Sequence, residues 1–182
     1  GHSMGCRVLL AANRARPGAV AGLVFVDGSR IGAGDPGAAG QTMADELVGD
    51  GYLRFMRQFF ESMFVPSSDP AVAQVIIDRA LRFPAELGRP LLRNLATWDA
   101  AEMEGALDAV DVPVLAIQST TMDTARERVS LTTGLTSPWI DLLHAHIPQA
   151  GVAILAGTSH YPQIERSGEV NALITEFALN EQ

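Results

Sequence analysis

The chain is poor in cysteine, in basic residues and in long apolar runs. Its one cysteine, Cys6, cannot form an internal disulfide, so nothing indicates an oxidising compartment and a cytoplasmic location is the default expectation. Lys and Arg number 13 against 21 Asp and Glu, and the formal net charge of −8 argues against nucleic acid as a partner. No apolar run approaches the roughly 20 residues of a membrane span. We expect a globular protein that binds a small molecule, neither nucleic acid nor membrane; the oligomeric state stays open.

Three short apolar runs are separated by helical patterns. They are residues 22–26 (GLVFV), 112–117 (VPVLAI) and 152–156 (VAILA). Short continuous runs of this kind fit strands that are buried on both faces, as in a parallel sheet. Helical patterns at residues 6–15, 138–145 and 169–179 alternate with them. The sequence therefore predicts an α/β fold in which three parallel strands are flanked by helices.

A long helical stretch interrupts this alternation. Residues 30–40 form a Gly- and Pro-rich loop in our interpretation, and a helical pattern follows from residue 41 to about residue 110. Within it, Asp99 is expected to be the N-cap of a further short helix. The stretch is too long for a crossover connection, which predicts an inserted helical cap. The predicted organisation is an α/β core at residues 1–30, a cap at 31–108 and the core again at 109–182.

The first five residues, GHSMG, fit the pattern G-x-S-x-G. A serine hydroxyl is a poor nucleophile unless it is exposed, aimed and deprotonated by a base. A sharp turn that runs straight into a helix aims the Ser3 side chain, with glycines on either side to avoid collisions. The helix also brings a positive dipole end, and the Met4 N–H can point at a developing oxyanion. Because a helix, a Pro-Gly stop and an apolar strand follow, we interpret Ser3 as a nucleophile.

Four segments together resemble the α/β-hydrolase superfamily, in order and along nearly the whole chain. They are GHSMG with its helix, RPGAVAGLVFVDGS, VDVPVLAIQS and AGTSHYPQIERSGEVNALITEF. The resemblance implies that Ser3 is the nucleophile, that His160 is the general base and that the Met4 N–H is one oxyanion donor. It also implies that the chain is the C-terminal part of the fold, with the first half before Gly1, so that these residues alone are expected to be inactive. One departure is Ser159, which stands where a glycine often precedes the histidine.

The acid that orients His160 has more than one candidate. The family usually places it just after the strand at residues 112–117, where Asp123 is the only aspartate, one residue later than the common spacing. Some relatives use the end of the preceding strand, which is Asp27 here. We assign Asp123 and keep Asp27 as the alternative, with Glu127 a third possibility.

Several other motifs are assigned no chemistry. His144 and His146 are two residues apart, a poor spacing for one helical face, so no metal site is predicted. Residues 32–37 (GAGDPG) match G-x-G-x-x-G, but no strand leads directly into them, and no cofactor is predicted. Cys6 is interpreted as a small packing residue.

The expected activity is hydrolysis of a small, apolar carboxylic ester through an acyl-enzyme. The candidate substrate-binding residues are apolar side chains of the cap, which serve equally well to hold the cap together: Met56, Phe59, Phe60 and Met63. Carbon–carbon bond hydrolases and cofactor-free haloperoxidases or perhydrolases share these motifs and stay open. A non-catalytic, ligand-binding protein of the same fold is the alternative from another class, and labelling by a fluorophosphonate would separate it from an enzyme.

Overall fold

The computed structural model describes residues 1–122 and 128–180, and the chain divides into two compact units. One comprises Gly1–Ser29 with Glu104–Gln182, and is called the core unit below. The other, the helical unit, is Arg30–Met103. That the helical unit acts as a cap stays a prediction.

The core unit contains both strands and helices, whereas the elements of the helical unit are all helices. In chain order they are α1 (Met4–Ala15), β1 (Leu23–Val26), α2 (Pro36–Glu46), α3 (Gly51–Glu61), α4 (Pro70–Leu81), α5 (Ala85–Ala101), α6 (Met103–Asp108), β2 (Val114–Gln118), β3 (Thr120–Met122), β4 (Arg128–Ser130), α7 (Pro138–His146), β5 (Gly151–Ile154), α8 (Pro162–Glu165) and α9 (Ser167–Asn180). Within the two described ranges, no helix combines the length and hydrophobicity that a membrane span needs.

The three predicted strands form one parallel sheet in the order β1-β2-β5, which confirms the predicted fold class. Phe25 of β1 and Ala116 of β2 are completely buried, and the Phe25 ring packs edge-on against Trp139 with centroids 6.0 Å apart. Burial on both faces explains why residues 23–26 and 114–117 are apolar. The third strand differs from expectation, since the side chains of Val152 to Ile154 are only half-buried.

Two local expectations are wrong, and one further feature was not predicted. The loop assigned to residues 30–40 ends early, because Asp35 caps α2 by accepting the Ala38 N–H, and α2 begins at Pro36. Asp99 is not an N-cap but lies inside α5. The loop after β2 contains an unexpected antiparallel pair, β3 with β4, in which Thr120 faces Ser130.

The helical unit has an apolar core of its own. Leu47, Tyr52, Met56, Ala80 and Leu92 form a buried cluster, and half-buried side chains pack against it. Burial of these side chains from several helices accounts for the helical pattern that the sequence shows.

Candidate active site

Ser3 occupies a strained turn between the edge of β1 and α1. Its backbone dihedrals are φ 52° and ψ −115°, in a region that costs a non-glycine residue about 1–3 kcal/mol. Flanking hydrogen bonds hold it there: Ser3 N donates to Val26 O at 3.0 Å, and Val26 N donates to Gly1 O at 2.8 Å. This is the geometry expected of a nucleophile elbow.

The two glycines of the elbow are not equivalent. A Cβ added to Gly1 would lie 2.6 Å from Gly5 O, so no side chain fits there without a backbone shift. A Cβ on Gly5 would meet nothing within 4 Å in the described part of the chain. The expected steric reason for glycine is therefore confirmed at position 1 only.

The start of α1 supplies an N–H donor beside Ser3. Met4 is the first residue of α1, and among the described residues no acceptor takes its N–H.

Cys6, two residues after Met4, is buried, and its thiol donates to Gly1 O at 3.2 Å. Burial raises the pKa of Cys6 to about 11, so the thiol stays protonated and suits a packing residue.

Asp27 follows β1 directly and points its carboxylate into a set of donors. Its φ is 43°, in the left-handed region, and its N–H donates to Ile117 O at 2.8 Å. Asp27 Oδ1 accepts the N–H groups of Ser119 and Thr120 at 2.8 and 2.9 Å, and Oδ2 accepts the Thr120 hydroxyl at 2.6 Å. The carboxylate is thus buried but well supplied with hydrogen bonds.

His160 completes this group. Its Nδ1 donates to Asp27 Oδ2 at 2.6 Å, and only 2% of the residue is exposed. The preceding Ser159 anchors the loop, since its N–H donates to Glu165 Oε2 at 2.7 Å and its carbonyl accepts the Ser119 hydroxyl at 2.7 Å. The Ser159 hydroxyl also accepts the Tyr161 N–H at 3.2 Å, which gives this serine a structural reason to replace glycine.

The protonation states suit a general base. Burial lowers the pKa of His160, although the hydrogen bond to Asp27 opposes that effect. For Asp27, burial favours a higher pKa, but the hydrogen bonds from His160, Thr120 and Ser119 outweigh it and lower the pKa overall. At neutral pH an ionised Asp27 therefore faces a neutral imidazole with the proton on Nδ1, which leaves the Nε2 lone pair to take a proton.

His2 links the elbow to His160. Its Nε2–H donates to the His160 carbonyl at 2.7 Å, and the two rings lie 4.6 Å apart between centroids. Burial, followed by the repulsion of His160, lowers the pKa of His2 to about 4, so it is neutral near pH 7. Ser3 therefore directly follows a residue whose side chain contacts His160.

Of the residues that sequence analysis singled out, Asp27 and His160 are joined by a hydrogen bond. Ser3 and Met4 lie in the elbow, where the Ser3 N–H donates to the carbonyl of Val26, the residue before Asp27. Asp123, the acid assigned from spacing, lies outside the described residues, as does Glu127. Within the described part of the chain, the carboxylate that contacts His160 is the alternative, Asp27.

The predicted substrate-binding residues belong to the helical unit. Met56 is part of its buried cluster, Phe60 packs against that cluster, and Met63 is buried. Phe59 is half-buried between Phe55 and Phe60. Packing accounts for these positions, and substrate contact stays a prediction.

Two histidines assigned no chemistry have separate partners. His144 Nε2 lies 3.2 Å from Ala150 O, and His146 Nδ1 lies 2.7 Å from Asp108 Oδ1.

Two residues of the site were missed from the sequence, Thr120 and Arg128. Thr120 binds Asp27, and the Arg128 guanidinium donates to the Thr120 hydroxyl at 2.7 Å. The only sequence signal was the pair of β-branched threonines in STTM, which favours a strand. Arg128 stands in the charged run RER, which is typical of a solvated loop.

Solved structures share this fold at low identity. A thermophilic esterase from Thermogutta terrifontis matches with TM-score 0.72 and 21% identity, over 100% of this chain and 64% of that one. An enol-lactonase from Burkholderia xenovorans matches with TM-score 0.70 and 18% identity (98% and 64%), and a bromoperoxidase from Bacillus anthracis with 0.70 and 17% (98% and 65%). The chain thus spans less than two thirds of their length.

No curated protein matches the chain. The family described as alpha/beta hydrolase matches residues 1–173, nearly the whole chain. Together with the elbow, the parallel sheet and the solved structures, this match shows that the chain belongs to the α/β-hydrolase family.

Proposed function

We propose that this chain carries the catalytic residues of a serine hydrolase that cleaves ester-like bonds, with Ser3 as nucleophile, His160 as base and Asp27 as acid. The observation that carries the proposal is the 2.6 Å hydrogen bond between His160 Nδ1 and Asp27 Oδ2, which fixes the imidazole tautomer. The strained elbow at Ser3 supports it, because strain of this kind persists only where surrounding structure holds it.

In the proposed reaction, the Ser3 hydroxyl attacks the ester carbonyl while His160 Nε2 takes its proton. The imidazolium that forms is stabilised by the ionised Asp27, and the Met4 N–H donates to the developing oxyanion. His160 then protonates the leaving alcohol, and water, activated in turn by His160, releases the acid from Ser3.

The proposed substrate is a small carboxylic ester with an apolar acyl or alcohol group. Support comes from the apolar, sulfur-containing side chains of the helical unit, among them Met56 and Met63. Esters of p-nitrophenol with graded chain length would define this preference. Because carbon–carbon bond cleavage and perhydrolysis need the same three residues, the same panel should include a vinylogous diketone and a peracid assay.

The decisive test uses the complete protein and a fluorophosphonate probe. Ser3→Ala and His160→Ala should each abolish labelling and lower turnover by about 10⁶, and the double variant should lose little more, since the two residues act as a unit. Additive losses, or a wild-type protein that hydrolyses esters without labelling at Ser3, would contradict the assignment.

A further inference from the structure

A chain of three hydrogen bonds runs from Arg128 to His160. The Arg128 Nη1 donates to Thr120 Oγ1 at 2.7 Å, the Thr120 hydroxyl donates to Asp27 Oδ2 at 2.6 Å, and the same oxygen accepts from His160. A threonine hydroxyl has one hydrogen and two lone pairs, whereas a guanidinium only donates. With Arg128 on a lone pair of Thr120, the hydroxyl hydrogen is directed at Asp27.

The Arg128 guanidinium is buried at this contact, and its burial costs free energy of hydration. Its side chain is 9% exposed, and its Nη1 lies 3.8 Å from Asp27 Oδ2. The Nε atom is buried without a hydrogen-bond partner among the described residues. A buried guanidinium that leaves one donor unmet is destabilising unless its other contacts offset the loss of water. The contacts that offset it here are Thr120 and the charge of Asp27.

We propose that Arg128 is a positioning residue, which orients the Thr120 hydroxyl and thereby fixes Asp27 against His160. The inference rests on the proposed function for its kinetic consequence, although the geometry of the pair can be measured without it. Arg128 does not touch the reacting atoms and acts through Thr120 and Asp27.

The charge of Arg128 also affects His160. Among the described residues, the charged and titratable groups that face this histidine are His2, Arg7, Asp27, Arg128 and Tyr161. Asp27 favours the imidazolium and raises the pKa of His160, whereas Arg128 and Arg7 lower it. Arg128 therefore limits the rise that Asp27 causes in the pKa of His160. His160 then stays neutral until it receives the proton of the serine hydroxyl.

The test compares Arg128→Met with Arg128→Lys in the complete protein, with Arg57→Met as matched control. Arg57 is exposed and paired with Glu61 on the same helix at 3.6 Å. Arg128→Met should raise the pKa of His160 in an NMR titration, and the acidic limb of kcat/KM should move to higher pH with it. Arg128→Lys keeps the charge and should retain most of the wild-type behaviour, and Arg57→Met should change neither quantity.

Thr120 provides an independent arm if Arg128→Met does not fold. Thr120→Val removes the relay but leaves the guanidinium, and should lower kcat roughly tenfold, the usual value of a hydrogen bond to a charged group. Thr120→Ser should restore it. A double variant Arg128→Met with Thr120→Val should lose less than the product of the single losses, because the residues act in series.

The outcomes separate this inference from the proposed function. A lower melting temperature in Arg128→Met, with the His160 titration and pH profile unchanged, would reduce Arg128 to a structural residue and overturn the proposal. If the wild-type protein hydrolyses no ester while Thr120→Val, which leaves the Arg128 charge in place, still shifts the His160 titration, the proposed function fails and the positioning of the pair stands.

Discussion

Two buried aspartates, Asp27 in the core unit and Asp99 in the helical unit, put the same chemical group to different uses. Both are about 1% exposed or less. Both accept backbone N–H groups from a distant loop: Asp27 binds residues 119 and 120, while Asp99 Oδ2 accepts the N–H of Ile31 at 2.7 Å and of Gly32 at 3.4 Å. Burial and backbone bonding alone are thus structural features, and they do not mark a catalytic acid.

The difference lies in the fourth hydrogen bond of the Asp27 carboxylate, from His160, and in the backbone conformation of Asp27. Asp27 bonds the imidazole of His160, and it does so from a left-handed conformation at φ 43°, whereas Asp99 lies within the regular helix α5. A carboxylate that accepts a hydrogen bond from the imidazole of a general base can stabilise the imidazolium charge that develops during a reaction. The comparison predicts a kinetic effect at Asp27 and a stability effect at Asp99 for the same substitution.

The largest expected effect is at Asp27. In Asp27→Asn, the backbone N–H groups of Ser119 and Thr120 hold the amide oxygen, so the NH₂ group faces His160 and forces its Nδ1 to accept. The proton then sits on Nε2, the wrong tautomer for a base, and turnover should fall by about 10⁴. Steady-state kinetics, with circular dichroism to show that the protein is folded, measure this loss.

Asp123→Asn is the matched control. With Asp27 as the acid, this variant should keep turnover within about threefold of wild type, the scale of a small surface effect. The reverse ranking would return the acid to Asp123 and leave Asp27 as a residue that holds the loop after β2.

The choice between these acids shows what the sequence could not provide. Ser3 and His160 could be singled out because Ser3 stands in G-x-S-x-G directly before a helix pattern and His160 stands in the loop after a strand pattern, which is local information. Which carboxylate reaches His160 depends on the pairing of β1 with β2 and on the φ of Asp27, neither of which spacing reveals.

Dependence on tertiary contacts also explains why the role of Asp99 was predicted wrongly and that of Arg128 was missed. Asp99 has the local signature of an N-cap, but a tertiary contact 67 positions away, with Gly32, satisfies its carboxylate and α5 continues through it. Arg128 resembles a solvated arginine until β4 is paired with β3. The three strands of the parallel sheet and the helical character of the stretch from residue 41 onwards follow from periodicity, whereas buried polar partners depend on the completed fold.

Acid sensitivity should also distinguish the two units, since all four histidines lie in the core unit. His2 has its pKa lowered to about 4 by burial, so the unfolded chain binds a proton that the folded one does not at intermediate pH. Stability from this source is fully present above the unfolded pKa of about 6.5 and is lost as pH falls towards 4. The loss between about pH 7 and pH 5 should be roughly 2 kcal/mol.

The unfolding of each unit can be followed separately, because Trp98 lies in the helical unit and Trp139 in the core unit. Denaturant unfolding followed through Trp139, in a Trp98→Phe background, should show the acid loss, and His2→Gln should remove most of it. An equal loss in His2→Gln would assign the sensitivity to His160, whose pKa burial also lowers, rather than to His2.

The smallest expected effect is at Asp99. Asp99→Asn keeps an oxygen for the N–H groups of Ile31 and Gly32 but removes its charge, and a neutral acceptor forms weaker hydrogen bonds. The free energy of unfolding should fall by about 1–2 kcal/mol. Followed through Trp98 in a Trp139→Phe background, the transition should move to lower denaturant, while turnover below the transition stays at the level of that background. A turnover loss near that of Asp27→Asn, with unchanged stability, would contradict this prediction. Asp99 would then contribute to the reaction as well as to the binding of its backbone partners.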